Sequence, residues 1–237
     1  MDFEKIKELI KQEEKQDSIG TKKERTLHQY LKYYFCNESL YHEQKLKGYI
    51  VDILKDNQII EIQTSAFNAM RKKLETLLND YHINIVYPII IERTLYNFDE
   101  QGVLLNIRKS PKKEHPLKIG KELYKINNLL NHPNLTFTLV LLKVYEERIP
   151  YINRYKQKKT TRINQIPYEL IEVINLNTNL DFINLIPFDT EFTANDFKKK
   201  VKLSPRDTSS SLLALRTLNV IEVIRKEGKK YIYKIKE

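Results

Sequence analysis

The stretch YIVDILKDNQIIEIQT, from Tyr49 to Thr64, limits the fold more than any other part of the chain. Two runs of alternating apolar character flank Asp56-Asn57, residue types that tolerate the positive φ of a two-residue hairpin turn. Such a turn sets the register: Lys55 opposite Gln58, Leu54 opposite Ile59, Ile53 opposite Ile60 and, by the same pairing, Asp52 opposite Glu61. Residues facing each other on a sheet stand with Cβ atoms about 5 Å apart, and like charges there repel. Gln63 shares their face because side chains repeat every second residue. The opposite face, Tyr49, Val51, Ile53, Ile60 and Ile62, is ordinary core. Three arrangements would relieve the repulsion: a basic neighbour such as Lys45 or Lys47, a solvated sheet edge, or a divalent cation held by the oxygens.

The surrounding pattern builds outward from this hairpin. Phe3, Ile6, Leu9 and Ile10 give a short amphipathic helix, read as a peripheral addition or a partner contact. A second helix is expected from Lys22 to Phe35, with Leu27, Leu31, Tyr34 and Phe35 on one face and Glu24 and His28 on its rim. A strand over Leu40–Leu46 precedes the hairpin, and a helix capped by Thr64 or Ser65 follows it to Tyr81. The buried stripe of that helix is Ala66, Met70, Leu74, Leu77 and Tyr81. NINIVYPIIIERTL reads as a strand buried on both faces. A strand near Val103–Arg108, a helix over Pro116–Leu130 and a strand over Leu135–Tyr145 complete a mixed sheet flanked by helices.

Past residue 150 the pattern changes. Arg154–Arg162 carries five basic residues and no acid and reads as a linker. Three helices are then expected: one over Leu180–Leu185, one capped by Thr193 with Asp196 in its third position, and one capped by Ser204 with Pro205 first. Strands Val220–Arg225 and Tyr231–Ile235 close the chain around Gly228. Helix, helix, helix and hairpin is the order of a winged helix-turn-helix. The fold class is therefore α/β with a small α+β module, divided as 1–19, 20–152, a linker at 153–162, and 163–237.

Charge points to a partner. The chain carries +10, unevenly: 17 Lys/Arg stand against 10 Asp/Glu in residues 151–237, but 24 against 21 before them. A basic module of this kind suits a polyanion, with nucleic acid ahead of a membrane surface. On the third helix Arg206, Thr208, Ser209, Ser210 and Arg216 are the candidates for DNA. In the wing Arg225, Lys226, Lys229 and Lys230 would meet phosphate. The single Cys36 leaves no intramolecular disulfide and fits a reducing cytoplasm. No apolar run reaches the ~20 residues needed to span a bilayer, and no Gly-rich phosphate loop supports a nucleotide cofactor. His42, His82, His115 and His132 lack zinc-ligand spacing with Cys36.

A helical Glu24, Asp52 on one strand, and Glu61-x-Gln63 on the next strand before a helix resemble the PD-(D/E)XK nuclease superfamily, over residues 20–95. The resemblance implies an αβββαβ core, with Asp52, Glu61 and the Ile62 backbone carbonyl holding Mg²⁺, or Mn²⁺ in its place. It further implies that Glu24 serves a second metal or a bound water, and that Gln63 positions the attacking water. Most of the superfamily has Lys where this chain has Gln63, so the missing positive charge would come from a second metal, from Arg71 or Lys72, or be absent and leave a weak or inactive enzyme. The expected activity is Mg²⁺-dependent cleavage of double-stranded DNA, of restriction type. A transposon-end nuclease or a DNA-binding regulator without turnover are the alternatives. Cutting both strands would call for a homodimer or paired binding events.

Overall fold

The computed structural model describes residues 5–8 and 26–236. Residues 5–8 are helical and Ile6 is fully buried. The rest of the first expected helix, the start of the second and Glu24 lie outside the described residues.

The chain is a mixed α/β protein. Its elements are α1 (Thr26–Phe35), β1 (His42–Leu46), β2 (Tyr49–Lys55), β3 (Gln58–Ile62), α2 (Arg71–Leu77), β4 (His82–Phe98), β5 (Leu104–Lys109), α3 (Gly120–Leu123), β6 (Leu135–Ile152) and β7 (Lys158–Leu176). The C-terminal part adds α4 (Asn179–Ile183), β8 (Phe192–Thr193), α5 (Ala194–Val201), α6 (Pro205–Thr217), β9 (Ile221–Glu227) and β10 (Lys230–Ile235). Seven strands form one sheet in the order β1-β2-β3-β4-β6-β7, with β5 also on β4, and β8-β10-β9 form a second. In the large sheet β2 and β3 run antiparallel, β3 and β4 parallel, and β4 and β5 antiparallel. The parallel pair needs a crossover between its strands, and α2 provides it.

The chain divides into two compact units. One is built from Glu43–Ile89, Glu114–Val140 and Val173–Glu237. Its core is Ile59, Ile62, Ile83, Ile85 and Val86 from the sheet, under Phe67, Leu74 and Leu77. Burying each such side chain stabilises by about 1.5–3 kcal/mol. Phe67 meets Tyr87 edge to face, with centroids 5.8 Å apart.

The C-terminal module lies in this unit, and its local signals act as expected. Thr193 and Asp196 form a reciprocal capping box on α5. Ser204 caps α6 with Pro205 in its first turn. Phe192, Phe197, Leu212, Leu215, Ile232 and Tyr233 are buried beneath the hairpin. A further capping box, Thr178 with Asp181, starts α4.

Helix α6 packs on α3 at very close range. A Cβ built on Gly120 would lie 2.7 Å from Ser211 Cβ and 3.0 Å from its Cα. Gly120→Ala is therefore expected to lower stability by about 1–3 kcal/mol despite alanine's better helix propensity. Thermal melting of the variant reads this, and Ser211→Gly in the same chain should restore part of the loss.

The other unit comprises the described residues of 1–42 together with Ile90–Lys113 and Leu141–Glu172. Helix α1 buries Leu27, Tyr30, Leu31 and Tyr33. Across the strands, buried Glu146 accepts from Arg148 Nη2 at 2.6 Å and Gln165 Nε2 at 2.9 Å, with Arg93 Nε at 3.5 Å. A buried carboxylate is tolerated when it is surrounded in this way. Tyr145 stacks on Tyr168 at 4.3 Å and meets Tyr96 edge-on at 5.3 Å.

Four expectations need correction. Leu40–Leu46 begins with a 3-10 turn at Ser39–Tyr41, and only His42–Leu46 is strand. The helix after β3 starts later than Thr64 or Ser65. Ala66 takes a left-handed conformation (φ 61°), a 3-10 turn spans Phe67–Met70, and α2 proper begins at Arg71. Ala66 is consequently exposed and Phe67 takes its place in the buried stripe. The Pro116–Leu130 helix is a series of short turns with a non-helical Ile126 (φ −121°). Finally, Arg154–Arg162 is no linker: β6 runs on to Ile152, and β7 begins at Lys158 and pairs with it. Charged and polar residues there hid a strand that has little apolar alternation to reveal it.

Candidate functional site: an acid pair beside a lysine

The hairpin register is the one the turn specifies: Ile53 opposite Ile60, Leu54 opposite Ile59, Lys55 opposite Gln58. Asp56 and Asn57 both have positive φ (49° and 64°), as a two-residue turn of this type requires. Beyond Ile53 the acids take over from the ladder. Asp52 Oδ2 accepts the Ile62 N–H at 2.7 Å, and Glu61 Oε1 accepts the Asp52 N–H at 3.4 Å. Strand β3 meanwhile stays with β4, where the Gln63 N–H donates to the Val86 carbonyl at 2.9 Å. Two carboxylates thus come together where β2 leaves β3, each holding backbone of the facing strand.

Glu61 is 2% exposed. Burial and the neighbouring Asp52 charge push its carboxyl up to about 7, against the opposing pull of Lys73. Lys73 Nζ sits 2.5 Å from Glu61 Oε1 and 2.5 Å from the Ile50 carbonyl. This ammonium reaches from α2 to the Glu61 carboxylate of β3 and to the backbone of β2, and sequence reasoning missed it. Its signal was present: Lys73 lies three residues after Met70 and four before Leu77, on the rim of the buried stripe.

The other expected residues fall as follows. Gln63, next along β3, is half-buried. Arg71 and Lys72 are exposed, and Arg71 donates to the Lys125 carbonyl. Neither basic neighbour of β1 serves the acid pair: Lys47 pairs with Asp80, and Lys45 is exposed. Among the described residues no group of three or more His, Cys, Asp or Glu side chains is placed to hold a metal. Asp52 and Glu61 supply two, and Glu24 lies outside the described residues.

In the winged-helix module, Arg206, Ser209 and Arg216 are exposed on α6, and Ser210 is half-buried. Thr208 is a correction: it is buried, and its hydroxyl donates back to the Ser204 carbonyl of its own helix at 2.8 Å, so it does not face a ligand. In the wing Lys226 lies over the Tyr231 ring, 5.6 Å from its centroid, and Lys229 and Lys230 are exposed at the turn. Arg225 is held by Glu191 at 2.6 Å and Glu227 at 2.8 Å, which offsets most of its charge.

Fold and site together define a mixed α/β protein with an acid pair, Glu61 buried and Asp52 half-buried, at the open end of a sheet hairpin. The chain belongs to the family described as "Domain of unknown function (DUF8091)", which matches residues 25–177. A relative from Treponema pallidum (strain Nichols), described as "Uncharacterized protein", is 30% identical over 157 residues, which are 66% of this chain. The match spans 62% of that relative's length. No solved structure matches. No described helix is long and apolar enough to cross a membrane.

Proposed function

We propose that the chain is a metal-dependent endodeoxyribonuclease, with its centre at Asp52 and Glu61 and its DNA contacts in the C-terminal module. One observation carries the reading: two carboxylates from facing strands meet where their ladder opens, one of them buried and raised to about 7, beside an ammonium. Desolvated like charges are costly, and a cation between them would relieve that cost. The donor set fits Mg²⁺ or Mn²⁺, because both side chains offer hard oxygens. Asp52, Glu61 and the Ile62 carbonyl would hold the ion. A divalent ion held by these residues would supply Lewis acidity toward water and toward the phosphate oxygens.

The chain's own groups supply the rest. The Ile62 N–H orients the Asp52 carboxylate. Glu61 would have to be ionised to hold a cation, so cation affinity should rise as pH climbs toward about 7. Lys73 brings the positive charge that Gln63 lacks, and it does so from the helix after β3 instead of from the strand. Gln63 is left to position the water through its amide. Arg206, Ser209, Arg216, Lys226, Lys229 and Lys230 are the duplex contacts.

The Lys73 ion pair also favours a second reading, a DNA-binding regulator in which the ammonium simply neutralises the acids. Incubating varied DNA duplexes with the protein and Mg²⁺ or Mn²⁺, against EDTA, separates the two. Divalent-dependent cutting supports the nuclease. Tight binding with no cutting of any duplex supports the regulator. Cutting confined to particular DNA ends would make the enzyme a transposon-end nuclease rather than one of restriction type.

A further inference from the structure

The distal β6–β7 hairpin is a strongly basic segment of the fold outside the C-terminal module. From Arg148 to Tyr168 the chain has six basic residues and no acid. Every residue from Tyr151 to Ile163 is exposed except Asn153. Asn153 ties the turn together: its side-chain oxygen accepts from the Tyr155 and Gln157 N–H groups at 3.0 Å each, and its amide donates to the Gln157 side chain at 3.2 Å. Its backbone N–H also bonds the Gln157 carbonyl at 3.1 Å. The segment is therefore a preformed ribbon, and binding through it would cost little ordering entropy.

We infer that the β6–β7 ribbon is a second DNA-binding element, which enters the major groove of a duplex and contacts phosphate along both walls. This rests on the DNA-binding part of the proposed function and on nothing in its chemistry. The two-stranded width suits a groove about 12 Å across. Charge lies on both faces of β7, Lys158 and Arg162 on one and Lys159 on the other, because successive strand residues point to opposite sides. A flat anionic surface would engage only one of those faces, whereas a groove has two phosphate walls. Tyr151, Ile152, Tyr155 and Ile163 are 45–66% exposed. They offer apolar contacts to sugars and thymine methyls, and Arg154 already stacks on Tyr155 at 4.7 Å. A second copy of the ribbon is a poor partner, since two segments without a single acid repel.

The test uses the full chain in EDTA, so that no cleavage contributes. Duplex affinity is measured by fluorescence anisotropy across a salt series for the wild type and for K156A/K158A/K159A. Each phosphate contact contributes about 0.9 to the slope of log affinity against log salt. The triple variant is expected to lose about 2–3 from that slope and to bind about tenfold or more weakly at 0.1 M salt, equally on all sequences. The charge-retaining K156R/K158R/K159R should keep the wild-type slope. An unchanged slope in a triple variant that melts like the wild type overturns the inference, as does a loss seen on phosphatidylserine vesicles but not on duplex. Asp52→Ala should leave the ribbon's contribution intact, so failure of the nuclease reading and failure of this one give different results.

Discussion

Alanine at Asp52 or at Glu61 is expected to lower Mg²⁺-dependent cleavage of duplex DNA by at least about 10³-fold, with DNA affinity within about threefold of wild type. The two losses should be of similar size and should not add, because each removes one side of the same cation site. Asp52→Ala also frees the Ile62 N–H, so its melting temperature must be recorded beside its activity. Lys73→Met should give a smaller loss, about 10- to 100-fold, if the ammonium stabilises charge on phosphate without holding the ion. Wild-type cutting by either alanine variant would remove the acid pair from the chemistry. A parallel collapse of DNA binding would make the pair structural.

Stability should fall as pH rises through neutrality, and Glu61 should be the cause. Its carboxyl stands near 4.5 in an unfolded chain and is pushed up to about 7 in the fold, chiefly by burial and next by the Asp52 charge. The folded state therefore binds the proton more tightly than the unfolded one. The resulting stability is fully present below about pH 4.5 and is lost as pH climbs through about 7, a change of roughly 3 kcal/mol. Glu61→Gln keeps the shape and removes the titration, so denaturant unfolding at pH 5 and pH 8 should show a smaller difference for the variant than for the wild type. Mg²⁺ should offset the penalty at pH 8, raising the melting temperature of the wild type but not of Glu61→Gln or Asp52→Ala. Equal pH dependence in wild type and Glu61→Gln would mean that the fold leaves Glu61 unshifted. This readout needs no catalysis and so tests cation binding by itself.

What could be read from the sequence was local. Asp56-Asn57 determines the hairpin register because a two-residue turn leaves the strands no freedom to slip, and that alone brings Asp52 to Glu61. Thr193 with Asp196, and Ser204 with Pro205, mark helix starts because their side chains answer backbone groups only three residues away. Hidden features depended on distant partners or on one unusual residue. Ala66 in a left-handed conformation delays the helix by several positions, and that delay places Lys73, not Arg71 or Lys72, at the acids. Thr208 looked like a DNA contact because burial against the rest of the module leaves no mark on a Ser/Thr-rich run. The β7 strand carries Lys, Thr and Arg on both faces near its start, so neither periodicity nor hydrophobicity announces it; its pairing with β6 does.

Each compact unit is assembled from three separated segments, and β4, β6 and β7 each supply residues to both. No single cut in the polypeptide releases either unit whole. A truncation after β6, or a fragment ending at the basic stretch, would lose strand partners from the sheet and leave Gly120 without the helix packed on it. Expression libraries of fragments should then yield insoluble pieces, and the roles proposed for the acid pair, the ribbon and the C-terminal module are better tested by exchanging single side chains in the intact chain.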